Sequence, residues 1–146
     1  MLENISKYIT PEIYSVLYYA GHLDDIVLAD VNYPCNEMCA KVIHSECPDN
    51  GLLLEEFLKY LPIDIDRENP FCVISENESI YKEPSFIIKT FEETINEIFN
   101  NKLGLNKIKR EEFYRRTKNA YAIIQTNEYR PFGTIIITKG MILKQS

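Results

Sequence analysis

Gly21-His22-Leu23-Asp24-Asp25-Ile26-Val27-Leu28-Ala29-Asp30 places a short apolar run between acidic residues. The run from Ile26 to Ala29 predicts a buried strand, because a strand covered on both faces has no polar alternation. Polar clusters flank it, with His22 and Asp24 before the strand and Asp30 after it. A strand of this length spans roughly 15 Å, so we do not expect one small ligand to contact both clusters of the same subunit.

Helices and apolar strands alternate along the rest of the chain. The first helix is predicted from Pro11 to Ala20, with Thr10 as its N-cap and Gly21 as a left-handed C-terminal cap. The 146 residues are expected to form one domain, spanning 1–146, of the α/β class. The other predicted helices are Leu52 to Leu61, Pro84 to Asn100 and Arg110 to Ala120, and the other strands are Phe71 to Ser75, Tyr121 to Thr126 and Thr134 to Thr138.

The charge and apolar content of the chain exclude several classes of partner. The net charge is −6, and the basic residues between Lys107 and Lys118 are interrupted by Glu111 and Glu112, which indicates a solvated helix face. Nucleic acid is therefore not an expected partner. No apolar run reaches the ~20 residues that a membrane span needs, and the N-terminal residues do not resemble a secretion signal. We expect a cytoplasmic protein whose four cysteines are thiols.

Metal and nucleotide sites have little support in the sequence. Cys35, Cys39, His44 and Cys47 offer the ligand types that zinc prefers, but their spacing is not that of a zinc knuckle. A zinc or thiol module therefore stays as the last alternative, and no metal or organic cofactor is expected. The chain contains no glycine-rich phosphate loop and no nucleophile elbow.

A histidine among carboxylates is the main chemical signal. His22 follows a predicted helix end and is followed by Asp24, and a neighbouring carboxylate can fix the tautomer of an imidazole for proton transfer. Two other interpretations remain open at this point. His22 can cap the helix C-terminus as a cation, and Asp30 can be an ordinary turn acid.

Four segments together resemble the fucose mutarotase and ribose pyranase (RbsD/FucU) family, and its fucose branch more closely. Ile5 to Glu12 is similar to the start of that branch. Gly21 to Pro34 resembles GHGDEIVLADxNFP, Arg110 to Ala122 resembles RxxFYERAxKAFA, and Thr126 to Gly140 resembles TGE…YGNIILxKG. The matches run almost from end to end and leave about residues 63–105 similar only in pattern.

The resemblance implies a mutarotase that interconverts the α and β anomers of a free monosaccharide by opening and closing its ring. It also implies a mixed, mostly buried sheet flanked by helices. The expected sugar is L-fucose, and no cofactor is needed. Members of the family form homo-oligomeric rings, commonly decamers, with the sugar at a subunit boundary.

Site residues follow from the motif positions. His22 matches the proton donor, and Asp24 is expected to orient or charge its imidazole. The residues that match sugar-binding positions are Asp30, Arg110, Phe132, Gly133 and Thr134. Phe132 and Thr134 replace the tyrosine and asparagine of the family triplet, which removes hydrogen-bonding groups. The alternatives are a mutarotase for ribose or another monosaccharide, and a sugar-binding protein without catalysis.

Overall fold

A computed structural model describes residues 1–38, 41–66, 70–79 and 85–143. Four α-helices and six strands are formed in these ranges, with two short 3₁₀ turns at Cys35–Glu37 and Glu76–Glu78. The helices are α1 (Pro11–Tyr19), α2 (Asn50–Phe57), α3 (Phe86–Phe99) and α4 (Arg110–Lys118). The strands are β1 (Asp25–Ala29), β2 (Val42–His44), β3 (Phe71–Ile74), β4 (Leu105–Ile108), β5 (Ala122–Gln125) and β6 (Ile135–Thr138).

The six strands form one mixed sheet in the order β2-β5-β1-β6-β3-β4. β1 is central: Val27 pairs with Ile123 of the parallel strand β5 and with Ile136 of the antiparallel strand β6. β2 runs parallel to β5, β4 runs parallel to β3, and β6 is antiparallel to both of its neighbours. The predicted α/β class and the mixed sheet flanked by helices are confirmed.

Both faces of β1 are buried, which explains its unbroken apolar run. Ile26 and Leu28 belong to a core that includes residues of α1, α2 and α3. Val27 and Ala29 belong to a second core on the opposite face, which Phe113 of α4 joins. The side chains alternate between these two cores as the pleat requires. Helices therefore cover the centre of the sheet on both sides, and its strand ends are left to carry polar residues.

The predicted helix boundaries needed small corrections. Thr10 caps α1 by accepting a hydrogen bond from the Ile13 amide, and Pro11 begins the helix, as expected. α1 stops one residue early, and the expected left-handed cap at Gly21 is wrong: in this turn it is Leu23 that has a positive φ, of 73°. α2 begins at Asn50, two residues before its predicted start at Leu52, with Asp49 as its N-cap, and it ends at Phe57, four residues before the predicted end at Leu61.

α3 runs from Phe86 to Phe99, and Pro84, where its start was predicted, lies outside the described residues. β2 and β4 were not predicted; they occupy the two edges of the sheet. Among the described residues, no helix has both the length and the apolar character that crossing a membrane requires.

Candidate functional site

The two polar clusters of the central segment lie at opposite ends of strand β1. His22 and Asp24 precede β1, and Asp30 follows it directly. The five residues of β1 span about 17 Å, so one chain holds these clusters well apart. The structure therefore places four of the predicted sugar-binding residues, Asp30, Arg110, Phe132 and Thr134, around one cavity. Gly133 is not among the residues that line it, and His22 lies at the other end of β1.

A cavity of about 320 Å³ opens at the carboxyl end of β1. Three elements converge there: β1 ends at Ala29, directly before Asp30, the antiparallel β6 begins after Thr134, and α4 begins at Arg110. Its size is at the lower end of the range for small-molecule pockets. The residues lining it are Asp30, Asn32, Tyr33, Ile74, Ser79, Arg110, Tyr114, Pro131, Phe132 and Thr134.

The Asp30 carboxylate is fixed in the wall of this cavity. The Thr134 hydroxyl donates to Oδ2 at 3.0 Å, and the backbone amide of Asn32 donates to Oδ1 at 2.9 Å. The Thr134 hydroxyl also accepts from the Asp30 amide at 3.0 Å. Burial raises the pKa of the Asp30 carboxyl, and these hydrogen bonds partly offset the effect. Thr134 thus holds the Asp30 carboxylate in position and also lines the cavity.

The loop before β6 has little freedom. Phe132 has a φ of 63°, which is uncommon for a residue with a side chain. Gly133 packs so closely that a Cβ there would lie 2.8 Å from Cγ of Glu128 and 3.0 Å from the carbonyl oxygen of Arg130. A larger residue at this position would have to displace backbone. The Phe132-Gly133-Thr134 segment is therefore held in one shape at the cavity.

Asn50, the first residue of α2, is hydrogen bonded to this loop. Its Nδ2 donates to the carbonyl of Gly133 at 2.6 Å, and its Oδ1 accepts from the Thr126 hydroxyl at 2.6 Å. Asn50 is fully buried, so both hydrogen bonds are shielded from water. Asn50 was not predicted as a site residue, because no sequence pattern connects it with its partners 76 and 83 positions away.

Two tyrosines in the cavity were also not identified as site residues. Tyr114 lies four residues after Arg110 on α4, and that spacing places both on one helix face. Tyr33 is buried, and its hydroxyl is hydrogen bonded to that of Thr117 at 2.6 Å. Burial raises the pKa of the Tyr33 phenol. The helical spacing from Arg110 was the available signal for Tyr114.

The His22 end of β1 is more open. The His22 side chain is 40% exposed, and its Nε2 lies 3.9 Å from Oδ1 of Asp64, a side chain that is only 3% exposed. Asp24 instead accepts a hydrogen bond from the Gly21 amide at 2.7 Å, which closes the turn around His22. The carboxylate facing the imidazole is thus that of Asp64, which was not predicted as a site residue.

The zinc alternative gains no support. Among the described residues, no group of three or more histidine, cysteine or acidic side chains is placed to hold a metal ion. Cys35 and Cys47 are buried thiols, whereas His44 is exposed at the end of β2. Cys39 lies outside the described residues.

Comparisons with known proteins agree with the architecture of the chain. A family model described as the RbsD / FucU transport protein family matches residues 3–142. The fucose mutarotase of Mus musculus is 36% identical over 148 residues, covering 97% of this chain and 95% of the relative. A crystal structure of the fucose mutarotase of Streptococcus pneumoniae in complex with L-fucose superposes with a TM-score of 0.86 at 30% identity, covering 97% of this chain and 100% of that one.

A more distant structure shares the fold alone. RbsD of Bacillus subtilis, complexed with D-ribose, has a TM-score of 0.70 at 19% identity, covering 98% of this chain and 100% of that one.

Proposed function

Since this chain belongs to the RbsD/FucU family, we propose that it is a mutarotase that interconverts the α and β anomers of a free monosaccharide, with L-fucose as its substrate. The observation that carries the proposal is the cavity at the carboxyl end of β1, which both Asp30 and Arg110 line. The similarity to a structure that holds L-fucose supports the choice of sugar.

The reaction needs two proton transfers and no redox step. The ring oxygen gains a proton while the anomeric hydroxyl loses one, so that the C1–O5 bond breaks and an aldehyde forms. The carbonyl then rotates, and closure on its other face reverses both transfers. Each positioned acid or base contributes about 10²–10⁴-fold to such a step.

The cavity supplies the groups that bind the sugar. The Asp30 carboxylate accepts hydrogen bonds from sugar hydroxyls, and Arg110 donates to sugar oxygens. Phe132 stacks on the apolar face of the ring, the role that aromatic surfaces often take. Gly133 keeps the loop close to Glu128 and Arg130, and the Thr134 hydroxyl keeps the Asp30 carboxylate oriented. The hydroxyl of Tyr114, also in the cavity, can accept and donate a proton within the same site.

His22 serves as the proton donor for the cavity of a neighbouring subunit. In one chain β1 keeps His22 far from the cavity, while its imidazole is exposed and Asp64 lies beside it. We propose that Asp64 orients the ring and that Asp24 shapes the turn carrying it. The functional unit is then a homo-oligomeric ring, and a decamer is the assembly we expect.

Exposed apolar side chains near His22 support such a subunit contact. Leu23 adjoins the histidine, Ile65 follows Asp64, and Met141 and Ile142 follow the end of β6; their exposed fractions run from 42% to 85%. Apolar groups in this number on one surface are typical of a protein contact. Analytical ultracentrifugation tests the assembly, and a monomer that still exchanges anomers would overturn it.

Saturation-transfer NMR between the two anomers of a sugar tests the activity directly. Wild type is compared with His22→Ala and with His44→Ala, which removes the second histidine of the chain, an exposed residue of edge strand β2 that does not line the cavity. We expect exchange of L-fucose by wild type and His44→Ala, and its loss in His22→Ala. Exchange that His22→Ala leaves unchanged would refute the role of His22. No exchange with fucose, ribose or galactose would favour a sugar-binding protein.

A different sugar is the second candidate, and two side chains favour it. Phe132 has no phenol hydroxyl, and the Thr134 hydroxyl is engaged by Asp30. Losing one hydrogen bond to a neutral hydroxyl weakens binding by about 0.5–1.5 kcal/mol, enough to shift preference among monosaccharides.

We further propose a cytoplasmic location, with which the buried thiols of Cys35, Cys47 and Cys72 agree.

A further inference from the structure

The C-terminus of α1 is closed by a side chain that is distant in sequence. The final carbonyls of a helix lack partners within it, and a left-handed cap usually satisfies them. Here Ala20 has extended backbone, with φ −58° and ψ 136°, and the helix gains no such cap. The Nζ of Lys139, just after β6, donates instead to the carbonyl of Leu17 at 3.3 Å and to the carbonyl of Ala20.

The main chain of Lys139 holds the other side of the same turn. Its carbonyl accepts from the Leu23 amide at 2.8 Å, and its amide donates to the Asp24 carbonyl at 2.9 Å. Leu23 has a φ of 73°, a conformation that costs free energy unless its surroundings enforce it. Lys139 therefore binds the chain before His22 through its ammonium and the chain after His22 through its backbone.

The residues next to Lys139 position the carboxylate that faces His22. The Asp64 amide donates to the carbonyl of Thr138 at 3.2 Å, and the Gly140 amide donates to the carbonyl of Pro62 at 2.8 Å. Ile63 forms an isolated antiparallel bridge with Lys139 itself. The imidazole and its carboxylate thus reach their 3.9 Å approach from two segments that both attach to the end of β6.

We propose that Lys139 is a positioning residue for His22. Its ammonium fixes where α1 ends, and hence the direction in which the following turn projects the imidazole. It also takes the C-terminal capping role that His22 could otherwise have had, which leaves the imidazole available for chemistry. The inference rests on the proposed function of His22 in proton transfer, and it assigns Lys139 no contact with the sugar.

The test replaces the ammonium while retaining most of the apolar stem. Lys139→Met is compared with Lys139→Arg, which restores a cation, and with Lys59→Met, which removes an exposed lysine paired with Glu56. The first readout is the histidine spectrum in ¹H–¹³C NMR, which contains only two residues, His22 and His44. The second is the separate effect on kcat and KM for anomer exchange.

We expect Lys139→Met to move the His22 resonance and to leave that of His44 in place. We expect kcat to fall roughly ten- to hundredfold, because a small misplacement of an acid/base group costs about that much, with KM nearly unchanged. Lys139→Arg should recover much of kcat, and Lys59→Met should match wild type in every readout.

A His22 resonance and a kcat that both stay at wild-type values in Lys139→Met would overturn the proposal. So would a fall in kcat accompanied by a rise in KM that Lys139→Arg does not rescue, since a misplaced imidazole alone does not weaken sugar binding. If Lys139→Met does not fold, Lys139→Gln, which retains a shorter donor, is measured by the same criteria. The NMR shift needs no turnover, so it is interpretable even if the chain proves to have no mutarotase activity.

Discussion

Mixing two inactive variants tests whether each sugar site draws on two subunits. His22→Ala removes the proton donor and leaves the cavity intact, whereas Arg110→Ala removes a cavity residue and leaves the histidine intact. Proton transfer requires separations of about 2.6–3.2 Å or one bridging water. β1 alone places about 17 Å between the two clusters of one chain, so a single chain cannot complete its own site.

The fraction of wild-type activity that should return follows from how the two variants mix in one ring. In an equal, random mixture a site is complete when its cavity comes from His22→Ala and its histidine from Arg110→Ala. That occurs at about a quarter of the sites in a symmetric assembly, so about a quarter of wild-type exchange should return. Sites built within one chain would give none.

The two variants are co-expressed with different affinity tags, and mixed assemblies are isolated over both columns. Anomer exchange of L-fucose is then measured by saturation-transfer NMR, and native mass spectrometry gives the subunit ratio. Wild type mixed with the double variant is the control: shared sites predict about a quarter of the activity, and sites within one chain predict about half. Mixed assemblies without restored exchange, or control activity near half, would refute the shared site.

Three further predictions concern the cavity. Asn50→Ala leaves the Gly133 carbonyl without its hydrogen-bond partner, so the free energy of unfolding should fall by about 1–3 kcal/mol. Steady-state kinetics should show a higher KM at nearly constant kcat. The control Asn127→Ala, at an exposed position, should change neither the kinetics nor the urea-unfolding curve. Gly133→Ala should lower stability by about 1–3 kcal/mol through its clash with Glu128 and weaken sugar binding; wild-type Tm and calorimetric affinity would contradict this. Burial raises the pKa of Asp30, so the folded state holds its proton more tightly than the unfolded state does, and the free energy of unfolding should fall as pH rises from about 4 through the raised value. Asp30→Asn should lack that part of the fall, and parallel pH curves from urea unfolding for wild type and variant would refute the assignment.

The central strands were predictable because burial on both faces leaves a direct trace in the sequence. Ile26 to Ala29 and Ile135 to Ile137 are continuous apolar runs, and both lie in strands of the structure. β4 was missed because its sequence, Leu105-Asn-Lys-Ile108, lies at the sheet edge and is half exposed. β2 has only three residues, and an edge strand of that length gives no usable period.

The separation of the two clusters also followed from the sequence, since strand length alone implies it. The residues that contact each cluster could not be predicted in this way. Asp64 lies in a segment without periodicity, and it approaches His22 only because Ile63 pairs with Lys139. Asn50 precedes the predicted helix start at Leu52, yet as the first residue of α2 it donates a hydrogen bond to the Gly133 carbonyl. Contacts of this kind depend on how distant segments meet, and no local pattern encodes them.

The antiparallel strand β6 gives the two ends of β1 a common support. Because it runs opposite to β1, Thr134 at its start reaches Asp30, and Lys139 just beyond its end holds the turn of His22. Its last residue, Thr138, also donates to Asp25 at 2.6 Å, at the beginning of β1. A parallel neighbour would place its own start beside the start of β1. Because β6 is antiparallel to β1, residues at the two ends of this four-residue strand position both the sugar-binding Asp30 and the proton donor His22. In the proposed ring, the two groups of one chain act in the cavities of different subunits.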